Sequence, residues 1–197
     1  MLSLSLGWCS VPPASIINKS RVNPTPPLCD LGLTEIKTLP ANRWKEYRRL
    51  RLEALELSPL AFGTALQEGA SSGDMTWKKH LGQVSFAMKN DEPVGMIMCV
   101  FTEGVKFEHI AEIHGFYVRP NYRGRGIGRE LLEHAIAKAR TNPRILKVRL
   151  YVNSRQLTAV NLYRRAGFAV VGRLAREMKV GQRLYTMLVM EKTVRRS

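Results

Sequence analysis

Apolar residues recur at helical spacing in the first part of the chain that shows a regular pattern. In "RWKEYRRLRLEALELSP", Trp44, Tyr47, Leu50, Ala54 and Leu57 recur at this spacing, and the proline after Ser58 ends the helix. "MTWKKHLG" predicts a short second helix that ends at its glycine. The pattern then changes to apolar and β-branched runs, which predict strands in "VSFAM" and "VGMIMCVF", joined by the turn "KNDEP".

The second half of the chain alternates between strand and helix patterns. "HIAEIHGFYV" and "ILKVRLYV" are predicted strands, and "FAVVG" and "RLYTMLVMEK" are the last ones. "QLTAVNLYRRAGF" predicts a helix that ends at Gly167. Another helix follows a glycine-rich turn, stops at Asn142-Pro143, and has an apolar face made by Ile127, Leu131, Leu132, Ala135, Ile136 and Ala139. This order of elements indicates an α/β domain.

Composition adds few constraints to this picture. The chain of 197 residues is 45% hydrophobic, which suits one globular domain with an extension. No apolar run approaches the roughly 20 residues that span a bilayer. The cysteines Cys9, Cys29 and Cys99 form no metal-ligand or CxxC pattern, and Cys99, in an apolar strand, is predicted to be a core thiol in a reducing compartment.

Residues 1–33 differ from the rest and are predicted to be a poorly ordered extension, so that the folded domain covers residues 34–197. The extension is rich in proline and serine and has no acidic residue before Asp30. It resembles a transit peptide in composition but has only Lys19 and Arg21 as basic residues. An untargeted tail and a cytoplasmic protein are therefore favoured, and organelle targeting by residues 1–30 stays open.

Positive charge is concentrated in the second half of the chain. Residues 34–112 carry ten lysines and arginines against eleven acidic residues, whereas residues 113–197 carry nineteen against four. A basic excess of this size, within a net charge of +15, favours an anionic partner such as a phosphorylated cofactor or nucleic acid.

The stretch "VRPNYRGRGIGRELLEHAI" joins arginines and glycines to the start of a predicted helix. Glycine lets a ligand approach the main chain closely, and the first turn of a helix presents unpaired N–H groups. Together they predict a phosphate cradle, in which N–H groups from Arg123 to Gly128 converge on the anion. The lysine-hydroxyl pair of a P-loop is absent. A dinucleotide-binding unit is also disfavoured, because no acidic residue follows at the end of the next strand.

The same stretch resembles the coenzyme A pyrophosphate loop of the GNAT (general N-acetyltransferase) superfamily. The family pattern Arg/Gln-x-x-Gly-x-Gly/Ala is met by Arg123, Gly126 and Gly128. The later family pattern N-x-x-A-x-x-L-Y-x-x-x-G-F is matched from Ala159 to Phe168, with Gln156 in place of the usual Asn. The resemblance covers roughly residues 34–192. It implies a three-layer α/β fold whose mixed, mostly antiparallel sheet of about six or seven strands is flanked by helices and splayed at the cofactor site.

The resemblance also implies how acetyl-CoA is held, without a metal. Main-chain groups of Phe116, Tyr117 and Val118 would bond the pantetheine arm, and Asn153 would either bond that arm or cap the next helix. Arg119 and Arg129 are interpreted as solvating the helix end. The predicted pyrophosphate loop comprises Arg123, Gly124, Arg125, Gly126, Ile127 and Gly128.

Direct acetyl transfer to a primary amine needs a base, an oxyanion donor and an acid. Glu112 is the candidate base, with His114 or water as alternatives, and strand alternation would place Glu112, His114 and Phe116 on one face. The N–H of Val118 is the candidate oxyanion donor. Tyr163 resembles the general acid of the family.

The acceptor amine stays open, as does the oligomeric state, including a homodimer. Two other functions are kept: a non-catalytic acyl-CoA sensor, and a basic nucleic-acid-binding module. The second is disfavoured because the sequence has no helix-turn-helix, zinc or aromatic RNA-binding motif. No membrane partner is expected.

Overall fold

One β-sheet forms the core of the folded domain. The computed structural model describes residues 34–102 and 104–195, so the predicted extension, residues 1–33, lies outside the described residues. Within the described range the sheet has seven strands. They are β1 (Glu35–Lys37), β2 (Val84–Lys89), β3 (Glu92–Phe101), β4 (Ile110–Val118), β5 (Lys147–Asn153), β6 (Ala169–Val180) and β7 (Arg183–Thr193).

Five α-helices accompany the sheet in the same described range. They are α1 (Trp44–Leu57), α2 (Leu66–Ser71), α3 (Asp74–Leu81), α4 (Ile127–Thr141) and α5 (Leu157–Arg165). Helix α1 ends at Leu57, and Ser58 leaves helical geometry because it precedes Pro59, as predicted. Helix α4 begins after Gly126, which adopts the left-handed conformation with φ of 87°.

The strand order is β1-β2-β3-β4-β5-β7-β6, which confirms the predicted mixed and mostly antiparallel sheet. Strands β4 and β5 run parallel, and the other neighbouring pairs are antiparallel. The parallel pair is possible because helix α4 returns the chain between these two strands. The parallel contact in the middle of the sheet is also where the candidate site forms.

Helices cover both faces of the sheet, which confirms the predicted three layers. Helices α4 and α5 bury one apolar cluster, to which Leu131, Leu132 and Tyr163 belong, and α1 and α3 bury a second around Tyr47 and Trp77. Complete burial of a leucine side chain contributes about 1.5–3 kcal/mol, so these faces hold the layers together. Cys99 is buried in the first cluster, as predicted for a core thiol.

Two short elements, strand β1 and helix α2, were not predicted from the sequence pattern. Strand β6 was predicted only over its first residues, and it extends to Val180. The residues of β6 are largely exposed, so its second part carries no apolar period from which a strand could be predicted. None of the helices described in residues 34–195 has the length and apolar character that crossing a membrane requires.

Candidate active site

A gap opens between β4 and β5 in the middle of the sheet. The two strands pair only from Ile110 to Ile113 on β4, opposite Lys147 to Leu150 on β5. Beyond this point β4 continues along β3, and β5 continues along β7. The strands therefore separate as the resemblance implied, and their facing edges are left without strand partners.

A bulge in β4 lies beside this gap. Met98 of β3 faces His114 and Met96 faces Tyr117, so the single residue Ile97 stands opposite two residues of β4. Gly115 allows the bulge because its φ is +59°. The extra residue shifts the alternation of side chains in the rest of the strand.

The prediction that Phe116 shares a face with Glu112 and His114 is therefore wrong. Phe116 packs in the cluster of α4 and α5, with its ring centroid 6.0 Å from that of Tyr163. Tyr117 instead joins the cluster of α1 and α3. A glycine inside a strand pattern indicates a bulge, and Gly115 was the sequence signal for this change.

The main chain of Val118 faces the gap. Arg119 donates its N–H to the carbonyl of Val94 at 2.9 Å, which makes these two residues a hydrogen-bonded pair of the β3–β4 ladder. Because such pairs alternate with non-hydrogen-bonded ones, Val118 and its partner Gly95 direct their N–H groups away from each other. The N–H of Val118 thus points toward the unpaired side of β4, as the oxyanion role requires.

The predicted pyrophosphate loop forms an open turn at the amino end of α4. Gly124 and Gly126 have φ values of +76° and +87°, which favour glycine, and a Cβ at Gly124 would meet nothing within 4 Å. The N–H groups of the first turn of a helix have no intrahelical partner. The turn can therefore surround an anion with N–H groups from Gly124 to Gly128.

The arginines around this turn have separate roles. Arg119 pairs with Glu53 at 3.0 Å and Arg129 with Glu133 at 2.7 Å. Arg123 donates its N–H to the carbonyl of Pro120 at 3.2 Å and its Nε to the carbonyl of Val118 at 2.8 Å. Arg125 lies exposed, with its guanidinium 5.7 Å from the Tyr122 ring. The structure thus pairs Arg119 and Arg129 with acids, and uses Arg123 to join the loop to the end of β4.

A cleft of about 890 Å³ connects the glycine turn with the gap between β4 and β5. Its size is within the usual range of small-molecule sites, about 300–1,000 Å³. Gly128 brings helix α4 close to the floor of the cleft, because a Cβ there would lie 3.4 Å from Phe116 and 3.6 Å from Leu162. One continuous space therefore contains the predicted phosphate end and the predicted reaction end.

Glu112 and His114 form a pair at the reaction end. The Nε2 of His114 lies 3.2 Å from Oε2 of Glu112, and their side chains are 47% and 24% exposed. His114 lines the cleft, whereas Glu112 stands behind it. Arg149, opposite Glu112 in the sheet, binds Glu191 at 2.7 Å instead. The carboxylate is thus directed to the imidazole rather than to this arginine.

Tyr163 reaches the cleft from α5, on the other face of the sheet. It is 6% exposed, and its ring packs against Phe116 and Phe168 with centroid distances of 6.0 Å to each. Burial raises the pKa of its hydroxyl well above the ordinary value of 10.0. The phenol therefore stays protonated at neutral pH, as a proton donor must.

Asn153 is completely buried at the end of β5. Its Oδ1 accepts the N–H of Arg155 at 3.0 Å, which holds the turn into α5. Its Nδ2 is buried and has no hydrogen-bond partner in the part of the chain described. The side chain thus stabilises the turn and keeps one buried donor, and Asn153 is not among the residues that line the cleft.

Sequence reasoning did not single out the residues of α1 and of the loop after it that form one wall of the cleft. Arg51, Ser58, Phe62 and Thr64 line it, and Ser58 to Thr64 belong to the loop after the helix. The signal was present in α1, because Arg51 stands four residues from both Tyr47 and Leu55, which are buried. A charged residue in a buried helical stripe indicates a special role.

No group of three or more metal-ligating side chains occurs in residues 34–102 and 104–195. The chemistry that the described side chains offer is acid–base chemistry from an imidazole, a carboxylate and a phenol around an unpaired strand edge. An anion-binding turn at the other end would hold the substrate.

The comparisons with known proteins concern the family and the fold. The model of a family described as "Acetyltransferase (GNAT) family" matches residues 45–168, more than half of the chain. An uncharacterised N-acetyltransferase of Methanocaldococcus jannaschii is 37% identical over 81 residues, which are 40% of this chain and 35% of that protein. The chain covers between 35% and 47% of the length of the curated relatives it matches.

Solved structures share the fold at low identity. A GNAT-family acetyltransferase from Streptococcus pneumoniae has a TM-score of 0.74 at 20% identity, over 81% of this chain and 99% of that one. YncA from Salmonella typhimurium, solved with its cofactor acetyl-CoA, has a TM-score of 0.72 at 17% identity, over 83% of this chain and 95% of that one. Both likenesses concern the fold.

Proposed function

The chain belongs to the acetyltransferase (GNAT) family, and on that premise we propose that it transfers the acetyl group of acetyl-CoA directly to a primary amine. One observation carries the proposal. A single cleft joins the glycine turn of Gly124 to Gly128 with the separated edges of β4 and β5, where His114 and Tyr163 line it and Glu112 pairs with His114.

The residues present fit acetyl-CoA, which supplies an activated thioester and an anionic pyrophosphate. N–H groups from Gly124 to Gly128 would bind the pyrophosphate, with Arg123 and Arg125 adding positive charge. Main-chain groups of Phe116, Tyr117 and Val118 along β4 would bind the pantetheine arm, and the buried Nδ2 of Asn153 would bind it directly or through water.

The amine must lose a proton because a free alkyl amine has a pKa of about 10.4 and is charged at neutral pH. We assign this step to the Glu112–His114 pair. If Nε2 of His114 donates to Glu112, the ring presents Nδ1 to the amine as its acceptor. Glu112 then stabilises the imidazolium that forms, and His114 is the residue that lines the cleft.

The transfer forms a carbon–nitrogen bond and breaks a carbon–sulfur bond. The N–H of Val118 stabilises the negative charge on the carbonyl oxygen. Tyr163 gives its proton to the departing sulfur, and the proton released by the amine leaves through His114. No nucleophile of the protein takes part, in keeping with Cys99, whose thiol is buried away from the cleft.

Thiol release from acetyl-CoA in the presence of an amine panel tests the activity. We expect thiol release that depends on the amine. Binding of acetyl-CoA without thiol release for any amine would favour an acyl-CoA sensor instead, and salt-dependent retention on DNA without turnover would favour a nucleic-acid-binding module.

Tyr163→Phe tests the mechanism, since it keeps the ring packing and removes only the hydroxyl. Turnover should fall by roughly 10²–10⁴-fold, while the affinity for acetyl-CoA should not change. The matched control is Tyr122→Phe, whose ring lies beside the turn at Arg125. Turnover of Tyr163→Phe close to that of the wild type, with chemistry rate-limiting, would contradict the acid assignment.

A further inference from the structure

Arg51 is a charged residue in a position that the helix otherwise buries. The buried residues of α1 are Tyr47, Leu50, Ala54 and Leu55, and Arg51 lies on the same stripe. Its guanidinium stacks on the Phe62 ring with 4.3 Å between Cζ and the ring centroid. The stacking fixes the orientation of the guanidinium, and its Nη1 is buried.

The guanidinium has no counter-charge in the described part of the chain. Its Nη1 has no hydrogen-bond partner, and no ion pair joins Arg51 to an acidic residue there. The pKa of Arg51 is lowered by burial, and no carboxylate offsets this effect. Arg43, Arg119 and Arg149, which are also partly buried, each bind at least one carboxylate. An unpaired and desolvated cation destabilises the fold unless a ligand supplies its partner.

Arg51 lies at the reaction end of the cleft. Nη1 is 3.7 Å from the position that a Cβ at Gly115 would occupy, beside the bulge and next to His114. Farther along α1, Glu53 binds Arg119, which follows β4. At the end of the helix, Oγ of Ser58 lies 3.5 Å from Nη2 of Arg123. Helix α1 and strand β4 therefore run side by side in the same direction. Seven helical residues span about 10 Å, which places Arg51 about that distance from the glycine-turn end.

We propose that Arg51 binds a carboxylate of the acceptor, and that the acceptor is therefore a small amino acid-like molecule rather than a lysine within a protein. The inference rests on the acetyl transfer proposed above. His114 reaches the cleft from β4, and Arg51 reaches it from α1 beside Gly115, the next residue of that strand. One acceptor that engages both therefore carries its carboxylate close to its amine.

A second use of Arg51, binding a phosphate of coenzyme A, fits the geometry less well. The glycine turn supplies N–H groups for the pyrophosphate at the other end of the cleft, and Arg123 and Arg125 lie there with it. The carboxylate of the acceptor is the anion that a cation beside Gly115 and His114 can meet.

The test compares matched acceptors in a thiol-release assay. L-amino acids with different side chains are paired with their primary amides, and a lysine peptide with blocked ends represents protein lysine. For the preferred amino acid, kcat/KM should exceed that of its amide. Arg51→Gln should reduce the acid-to-amide ratio of kcat/KM about tenfold to a hundredfold, as expected when a hydrogen bond to a charged group is lost. The kcat/KM of the amide should fall much less than that of the acid.

Arg49→Gln is the matched control, because Arg49 is exposed on the same helix and faces Glu92 at 3.4 Å in solvent. It should leave the acid-to-amide ratio unchanged. Thermal unfolding separates a binding role from a structural one. Arg51→Gln should keep or raise the melting temperature, because it removes an unpaired buried charge. A lower melting temperature with equal losses for acid and amide would mean that Arg51 serves the fold.

Equal kcat/KM for acids and amides in the wild type, or a preference for acids that persists in Arg51→Gln, would overturn the proposal. If no amine releases thiol, the proposed transfer fails and the carboxylate site is measured by itself. Calorimetry with N-acetyl amino acids added to the CoA-bound protein then decides: binding that Arg51→Gln abolishes supports the site, and binding that is absent or unchanged refutes it.

Discussion

Placing a carboxylate in the glycine turn should separate cofactor binding from folding. Gly126 precedes α4 with φ of +87°, and a Cβ there would lie 3.7 Å from the nearest atom, Oε1 of Glu130. Gly126→Asp therefore fits the space, but it puts a negative charge where the pyrophosphate is expected. Gly126→Asn has almost the same shape and no charge, and both side chains tolerate the left-handed conformation better than most. The pair isolates electrostatics from strain.

The size of the effect follows from the exposure of the turn. Two unit charges 4 Å apart interact with about 1 kcal/mol in water and about 4 kcal/mol at an effective dielectric constant of 20. Because Gly126 is exposed, the lower part of this range applies. We expect the Asp variant to bind acetyl-CoA at least tenfold more weakly than the Asn variant, which corresponds to about 1.4 kcal/mol.

Calorimetric titration with acetyl-CoA measures both affinities, and circular dichroism checks that each variant is folded. Raising the salt from 0.1 M to 1 M shortens the screening length from about 10 Å to about 3 Å, so the difference between the variants should shrink. Folded Asp and Asn variants with the same affinity would refute the assignment of the pyrophosphate to this turn. A difference that does not respond to salt would indicate a steric effect.

Two further predictions follow from the charged groups of the sheet. Glu112→Gln and His114→Gln should each slow acetyl transfer, most strongly at low pH, where more of the amine is protonated. Equal slopes of the pH–rate profiles for the wild type and both variants would contradict a base role. Burial tends to raise the pKa of Glu191, but hydrogen bonds from Lys147 and Arg149 lower it below 4.5. The carboxylate therefore stabilises the fold above that pH, and this contribution is lost as pH falls through the lowered pKa. Between pH 7 and 3 the melting temperature should fall less steeply for Glu191→Gln than for the wild type, and equal slopes would contradict this.

Much of the fold follows from short-range patterns in the sequence. The helical period of α1 and α4, the proline that ends α1 and the glycines before α4 depend on a few neighbouring residues, so they can be identified without a structure. The glycine turn and the Ala159–Phe168 pattern also identify the family, because both motifs are contiguous. Of the site residues drawn from these patterns, Tyr163, Arg123 and the three glycines of the turn line one cleft.

Other features depend on which distant residues meet. Arg119 and Arg51 are both arginines, but Arg119 meets Glu53, 66 residues away in the chain, whereas Arg51 meets an aromatic ring and no acid in the described chain. The bulge at Gly115 reverses the faces of Phe116 and Tyr117, and β3 across the sheet sets its position. Local propensity determines the period of a strand or helix, but the partner of a charge and the register of a strand are set by long-range packing. The sequence by itself therefore determined the family and the glycine turn, and only the tertiary structure decided which arginine is left without a counter-charge among the described residues.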